Sequence, residues 1–185
     1  ALIGAAAELF RQRGYAATTL DEVAEALDVR KASLYYYVRS KDALLQLVFE
    51  RALRQAIEKV EGIDAIDDPA RQLDALIELQ IGVVTQDPGH FAVFFDELGA
   101  RRASAAGGGK SDSLRQLERA YFNAFRRTVE RAVAAGLLPP VDPTYAAQAI
   151  IGLTSWTYKW FDPERHDPAE IARTCKALLR GGQGG

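Results

Sequence analysis

An all-α fold of about nine helices is what this 185-residue sequence predicts, and three observations carry the prediction. No segment alternates β-branched and polar residues at period two over the length of a strand. Apolar residues recur instead at three- and four-residue spacing almost from end to end. Helix-opening residues, and glycines or prolines that end helices, punctuate those stripes throughout. The composition agrees: 48% hydrophobic and 26% charged is a globular balance, which excludes a disordered tail or a collagen-like repeat.

Each element follows from its own signals. Leu2, Ile3, Ala6, Leu9 and Phe10 form one stripe, and Gly14 stops it. Thr19, with Glu22 three residues on, fits a capping box ahead of Leu20, Val23, Ala24 and Leu27. Leu34, Tyr35 and Val38 mark a third, short helix. Ser40 caps a longer one, in which Ala43, Leu44, Leu47, Val48, Ala52 and Leu53 repeat to about Glu61. Asp67, Asp68 and Pro69 open a fifth helix with Leu73, Leu76, Ile77, Gln80 and Val84. Asp87-Pro88-Gly89 punctuates the chain before Phe91, Val93, Phe94, Phe95 and Leu98. Residues 103–113 read as a loop. A long helix from about Leu114 to Ala135 ends at Gly136 and Pro139-Pro140. Asp142-Pro143 opens an eighth helix to about Phe161, and Asp167-Pro168 a ninth to about Leu179. The glycine-rich residues 181–185 read as a flexible tail.

Composition also bounds the function. Twenty-three basic against 25 acidic residues give a net charge of −2, which excludes a uniformly basic nucleic-acid binder but not a local basic patch. The one cysteine, Cys175, cannot close an internal disulfide, so a cytoplasmic protein is expected. No apolar run approaches a membrane span, and no signal peptide is expected. The chain starts at Ala1 inside a helical pattern, so a preceding segment is expected. Gly109-Lys110-Ser111 lacks the glycine and the strand that a phosphate-binding loop requires. His90 and His166 have no ligand neighbours at metal spacing, so capping or other polar roles are expected and no metal or cofactor is. No catalytic motif is present, and an enzyme is not expected.

The most informative stretch runs from Thr19 to Lys41. Two short helices meet at a tight turn, Asp28-Val29, in the helix-turn-helix arrangement. Ala24 is small enough for the helices to approach, and Val29 and Leu34 are placed to close the core between them. From Val29 to Lys41 there are four basic residues, Arg30, Lys31, Arg39 and Lys41, and no acidic one. Asp21, Glu22, Glu25 and Asp28 belong to the helix before. Such a unit points the start of its second helix at base edges in the major groove. Arg30 and Lys31 can donate to guanine, Ser33 can donate or accept, and Ala32 can lie against a thymine methyl. Tyr36, Tyr37 and Lys41 can reach phosphates, and Thr19 adds backbone N–H groups at a helix start. Tyr35, in register with Leu34 and Val38, is expected in the core. The alternative for these residues is packing tyrosines and solvated charges.

Residues 3–50 resemble the DNA-binding domain of the TetR family of bacterial transcriptional regulators. The resemblance is carried by Ala6-x-x-Leu9-Phe10-x-x-x-Gly14-Tyr15-x-x-Thr18-Thr19, then Val23-Ala24, then Leu34-Tyr35-Tyr36-Tyr37-Val38-x-x-Lys41-x-x-Leu44. Tyr37 stands where the family often has His, Val38 where it has Phe, and Asp28 where it has the turn glycine. The resemblance implies phosphate contacts by Tyr36, Tyr37 and Lys41, and base reading by Arg30, Lys31, Ala32 and Ser33. It implies a helix-turn-helix domain over 1–45 and a ligand-binding and dimerisation domain over 46–180. Its partners would be palindromic double-stranded operator DNA, a small hydrophobic effector and a second copy of the chain, with no membrane.

A second resemblance covers roughly residues 115–180. Asp142-Pro143, Gly152-Leu153-x-x-Trp156-Thr157-Tyr158-Lys159-Trp160-Phe161-x-Pro163, Ile171 and Leu178-Leu179 look like the branch controlling fatty-acid and sterol breakdown, which responds to acyl-CoA thioesters. A lipid-like ligand needs apolar walls between helices. Ile77, Ile81, Phe91, Phe94, Phe95, Leu98, Tyr121, Phe125, Ile150 and Trp156 are the candidates. Arg101, Arg102, Lys110, Arg126 and Arg127 are cations that CoA phosphates could use, or simply solvated charges. The eighth helix is apolar nearly all round, which predicts either a dimer through the last two helices or a central core helix in a monomer. Ile151, Tyr158, Phe161, Ile171, Cys175 and Leu178 are the candidate interface. The function expected is a ligand-released repressor of lipid or related catabolism. A drug-sensing repressor of efflux and a helical lipid-binding protein or enzyme without DNA binding are the alternatives.

Overall fold

The computed structural model describes residues 2–86, 91–92 and 111–181. Among these residues every regular element is helical. The helices are α1 (Leu2–Arg13), α2 (Leu20–Ala26), α3 (Lys31–Tyr37), α4 (Lys41–Ile63), α5 (Pro69–Gln86), α6 (Asp112–Ala134), α7 (Pro143–Ser155) and α8 (Pro168–Arg180). A single 3₁₀ turn, Trp156–Lys159, follows α7. Of the predicted sixth helix, Phe91 and Ala92 are helical. Phe94, Phe95 and Leu98 lie outside the described residues.

The predicted caps form. Thr19 Oγ1 accepts from the Glu22 N–H while Glu22 accepts from the Thr19 N–H, closing both arms of a capping box. Ser40 Oγ accepts from the Ala43 N–H at 3.1 Å and Asp68 from the Ala70 N–H at 2.9 Å. Asp142 and Asp167 cap α7 and α8, each with proline in the first turn. Gly14 and Gly136 follow α1 and α6 with φ of +82° and +70°, a conformation that a Cβ disfavours. One boundary departs from expectation. The predicted eighth helix, to Phe161, keeps α-geometry only to Ser155 and then tightens into the 3₁₀ turn.

The described residues divide into two compact units. The first contains α1, α2, α3, the first part of α4 and the start of α6. Its buried side chains include Ala6, Phe10, Val23, Leu34, Val38, Leu44, Leu45, Phe49 and Leu114. The second contains the end of α4, then α5, most of α6, α7 and α8. There α5 packs on α7, on the 3₁₀ turn and on α8. Val60, Ile63, Leu73, Leu76, Ile77, Ile81, Phe125, Val129, Ala147 and Ile150 form its core. At about 25 cal/mol per Å² of apolar surface removed from water, such side chains contribute roughly 1.5–3 kcal/mol each. The ion pairs Lys176–Glu78 and Arg180–Asp74 join α8 to α5 at the surface, where such pairs add little.

Thr19→Ala removes the hydroxyl arm of the capping box and is expected to lower the unfolding free energy by about 1 kcal/mol, read from the urea midpoint. The Thr19 N–H and hydroxyl, with Arg13 adding to them, hold the Glu22 carboxyl below the usual carboxylate range. A depressed folded pKa contributes stability above the unfolded pKa and loses it as pH falls through the folded value. The difference between wild type and Thr19→Ala is therefore expected to shrink on acidification across that window.

Candidate nucleic-acid interface and sensor core

The turn between α2 and α3 is built from backbone. Leu27 and Val29 N–H groups both donate to the Ala24 carbonyl, and Asp28 N–H donates to that of Glu25. Asp28 takes the left-handed conformation, φ 53°, which aspartate tolerates better than most residues. Val23 and Ala24 of α2 are buried, and so are Leu34 and Val38. Four residues separate the latter two, one turn of helix, so they share the inward face.

Tyr35 is 48% exposed, which corrects the expectation of a core residue. In a helix this short only the Leu34–Val38 stripe faces inward, and Tyr35 sits about 100° round from Leu34. Val29, expected to close the helix-turn-helix core, is also largely exposed. Arg30, Lys31, Ala32, Ser33, Tyr36, Tyr37 and Arg39 are all exposed. Tyr36 and Tyr37 meet edge to face, with ring centres 5.4 Å apart. Lys31 pairs with Asp21, whose hydrogen bond and charge raise the lysine's pKa. Among the described residues, Arg30 and Arg39 have no ion-pair partner.

Two predicted DNA contacts are occupied within the chain. The Thr19 N–H and hydroxyl are both engaged with Glu22. The Lys41 ammonium donates to the carbonyls of Tyr15 at 2.8 Å and Ala16 at 3.2 Å, and lies 4.5 Å from the centre of the Tyr15 ring. Tyr15 donates its hydroxyl to Asp42 and packs edge-on against Phe10 at 5.3 Å. Lys41 thus ties the segment after α1 to the start of α4. Nothing in the sequence pairs these residues, because their partners are about 26 positions away.

In the second unit the structure brings Ile77, Ile81, Phe125 and Ile150 together as predicted, all fully buried. Tyr121 packs on Phe125 at 6.2 Å between ring centres, and its hydroxyl donates to Gln80 Oε1. Burial pushes the Tyr121 phenol well above its ordinary pKa. Phe91 is half-buried.

Trp156 is 62% exposed, so it is not a wall of this core. The change to 3₁₀ geometry after Ser155 carries its ring into an open groove with Leu153, Trp160, Ile171 and Leu178. Cys175, expected on the interface, is buried with the core at the groove's edge, and burial raises its thiol pKa. Ile151 and Ile171 pack partly against the same core. Tyr158 stands edge-on to Trp156, Phe161 lies against the His166 ring, and Leu178 is well exposed. His166 Nδ1 accepts from the Asp162 N–H at 2.9 Å, a loop-closing polar role. Of the cations considered for CoA phosphates, Arg126 pairs with Glu130 and Arg127 with Asp64. Arg101, Arg102, Lys110 and His90 lie outside the described residues. No helix among the described residues is long and apolar enough to cross a membrane.

An exposed reading helix after a tight turn, together with a larger helical core in the same chain, defines a helix-turn-helix transcriptional regulator. Residues 2–48 match the family described as bacterial regulatory proteins, tetR family, and residues 66–182 match the tetracyclin repressor-like C-terminal domain. The chain belongs to the TetR family of transcriptional regulators. It is 23% identical over 189 residues to the uncharacterized HTH-type transcriptional regulator YhgD of Bacillus subtilis, covering 96% of this chain and 90% of YhgD. A TetR/AcrR-family regulator from Thermobifida fusca superposes with a TM-score of 0.77 at 29% identity, over 100% of this chain and 97% of that one. AibR in complex with isovaleryl coenzyme A and operator DNA superposes with a TM-score of 0.79 at 26% identity, over 97% and 96% of the two chains.

Lys41→Ala deletes a charged donor from two backbone carbonyls. Hydrogen bonds of that kind contribute about 1.5–3 kcal/mol, so a fall of that order in unfolding free energy is expected by urea titration followed by circular dichroism. Asp21→Asn, which breaks an exposed pair, is expected to change stability by less than about 1 kcal/mol in the same measurement.

Proposed function

We propose that this regulator is a homodimeric repressor of lipid or related catabolism, and that an acyl-CoA thioester or similar hydrophobic effector releases it from a palindromic operator. The observation that carries the DNA half is the exposed helix α3, with Arg30 at its start and no acidic residue from Val29 to Lys41. In this reading Arg30, Lys31, Ala32 and Ser33 face base edges, while Tyr36, Tyr37 and Arg39 position the helix on phosphates. Lys41 acts mainly by holding the start of α4, and Thr19 by capping α2. Such a protein works in the cytoplasm.

The effector half is supported by the apolar core around Ile77, Ile81, Phe125 and Ile150, and by AibR, a relative whose structure holds both isovaleryl coenzyme A and operator DNA. The DNA-binding domain would span 1–45 and the ligand-binding and dimerisation domain 46–180, with α4 belonging to both. Effector binding acts only through unequal affinity for the DNA-competent state and its alternative. A shift of α4 would change the separation of two reading helices, which must match about 34 Å or a multiple of it.

The dimer is supported by an exposed apolar face on α7, the 3₁₀ turn and α8, where Tyr145, Leu153, Trp156, Trp160 and Leu178 are between 42% and 76% exposed. That much exposed aromatic and aliphatic surface on one face marks an interaction site.

Operator fragments recovered from genomic DNA by the purified protein, followed by anisotropy with added acyl-CoAs, test the whole. Release by a CoA thioester is expected. Release by hydrophobic dyes alone would favour a drug-sensing repressor, and no salt-dependent binding to any fragment would overturn the regulator of this operator class. Arg30→Ala is expected to flatten the plot of log affinity against log salt by about one unit if Arg30 meets a phosphate, or to cost about 1–3 kcal/mol at one base position if it reads a base. Leu178→Glu is expected to yield a monomer by sedimentation velocity and to abolish tight operator binding.

A further inference from the structure

The second unit contains a polar chain that a purely apolar core has no use for. Gln80 of α5 stands between Tyr121 of α6 and Ser155 at the end of α7. Tyr121 donates its hydroxyl to Gln80 Oε1, and Gln80 Nε2 donates to Ser155 Oγ at 3.2 Å. Gln80 is 5% exposed and Ser155 4%. Three helices therefore bring polar side chains to one buried point beside Ile77, Ile81 and Phe125.

The chain is not satisfied internally. Ser155 Oγ accepts from Gln80, but its own hydrogen has no acceptor among the described residues. The neighbouring Thr154 does donate, to the Ile150 carbonyl at 2.7 Å. Gln80 has a second amide hydrogen, also without an acceptor there. Buried donors left unpaired are destabilising, and sequences keep such departures chiefly where function needs them. Both free donors point to an oxygen acceptor. The buried polar residues that surround them are Gln, Ser and Thr, with no Lys, Arg or His among the described buried residues. A carboxylate brought there would be an uncompensated buried charge, whereas a neutral carbonyl would complete the hydrogen bonds.

We infer that Gln80, Tyr121 and Ser155 hold the carbonyl oxygen of an effector whose apolar chain lies among Ile77, Ile81 and Phe125. The inference rests on the proposed effector class and narrows it: the site selects a neutral acyl carbonyl, as in a thioester, against the free fatty acid. Gln80 and Ser155 donate to the oxygen, and Tyr121 holds the Gln80 amide in the donating orientation.

The test uses the full-length protein and its recovered operator. Short-, medium- and long-chain acyl-CoAs are titrated beside alkyl-CoA thioethers of equal length, in which a methylene replaces the carbonyl, and beside the free acids. Wild type is expected to bind the best acyl-CoA about tenfold more tightly than its thioether, the scale of one well-formed hydrogen bond, and to ignore the acid. Gln80→Leu and Ser155→Ala are expected to erase that preference while leaving thioether affinity unchanged. Tyr121→Phe is expected to reduce it, with circular dichroism confirming the fold of each variant. If wild type binds acyl-CoA and thioether equally, or the variants keep the wild-type preference, the carbonyl site is overturned and the effector class stands. If wild type binds no CoA compound, the effector class falls and the carbonyl site with it. The acyl-to-thioether comparison on wild type alone decides the question should a variant fail to fold.

Discussion

Helix α3 has seven residues and an inward stripe of two side chains, Leu34 and, just past its end, Val38. Burial of two aliphatic groups is a small anchor for an element that must present its other faces outward. The surrounding contacts make sense as compensation. The left-handed turn at Asp28 fixes the entry angle, the Thr19–Glu22 box holds the start of α2, and the Lys41 ammonium gathers the carbonyls after α1. Rigidity comes from hydrogen bonds at element ends more than from area buried by α3 itself.

That constraint separates two kinds of basic residue that look alike in sequence. Lys41 and Lys31 are engaged, one with backbone carbonyls and one with Asp21, while Arg30 and Arg39 remain at the surface with guanidinium groups available. Arginine suits such a position, since its planar fork meets phosphate or guanine in a bidentate way that an ammonium cannot. The second unit shows the complementary arrangement. Its core is apolar except where Gln80, Tyr121 and Ser155 meet, and polar groups placed singly in apolar surroundings are what give a hydrophobic site orientation.

Much of this was legible in the residues. The caps at Thr19, Ser40, Asp68, Asp142 and Asp167 and the stops at Gly14 and Gly136 act through local hydrogen bonds or local φ, so short windows of sequence contain them. Ile77, Ile81, Phe125 and Ile150 were identifiable as interior because helical spacing fixes a face. The errors fell where spacing was ambiguous. Tyr35 could join either face of a helix too short to show a full period, and Trp156 follows a change from α to 3₁₀ geometry that rotates it out of register.

Local chemistry along the chain determined the helices, their limits, the helix-turn-helix and its basic second half, because each depends on residues within a turn or two of one another. Tertiary structure alone decided which cations are free and which are spent on carbonyls, that Cys175 lies inside and Trp156 outside, and that Gln80, Tyr121 and Ser155 meet. Those facts depend on side chains tens of positions apart reaching the same few ångströms, and hydrophobic periodicity carries no information about which polar groups will find each other there.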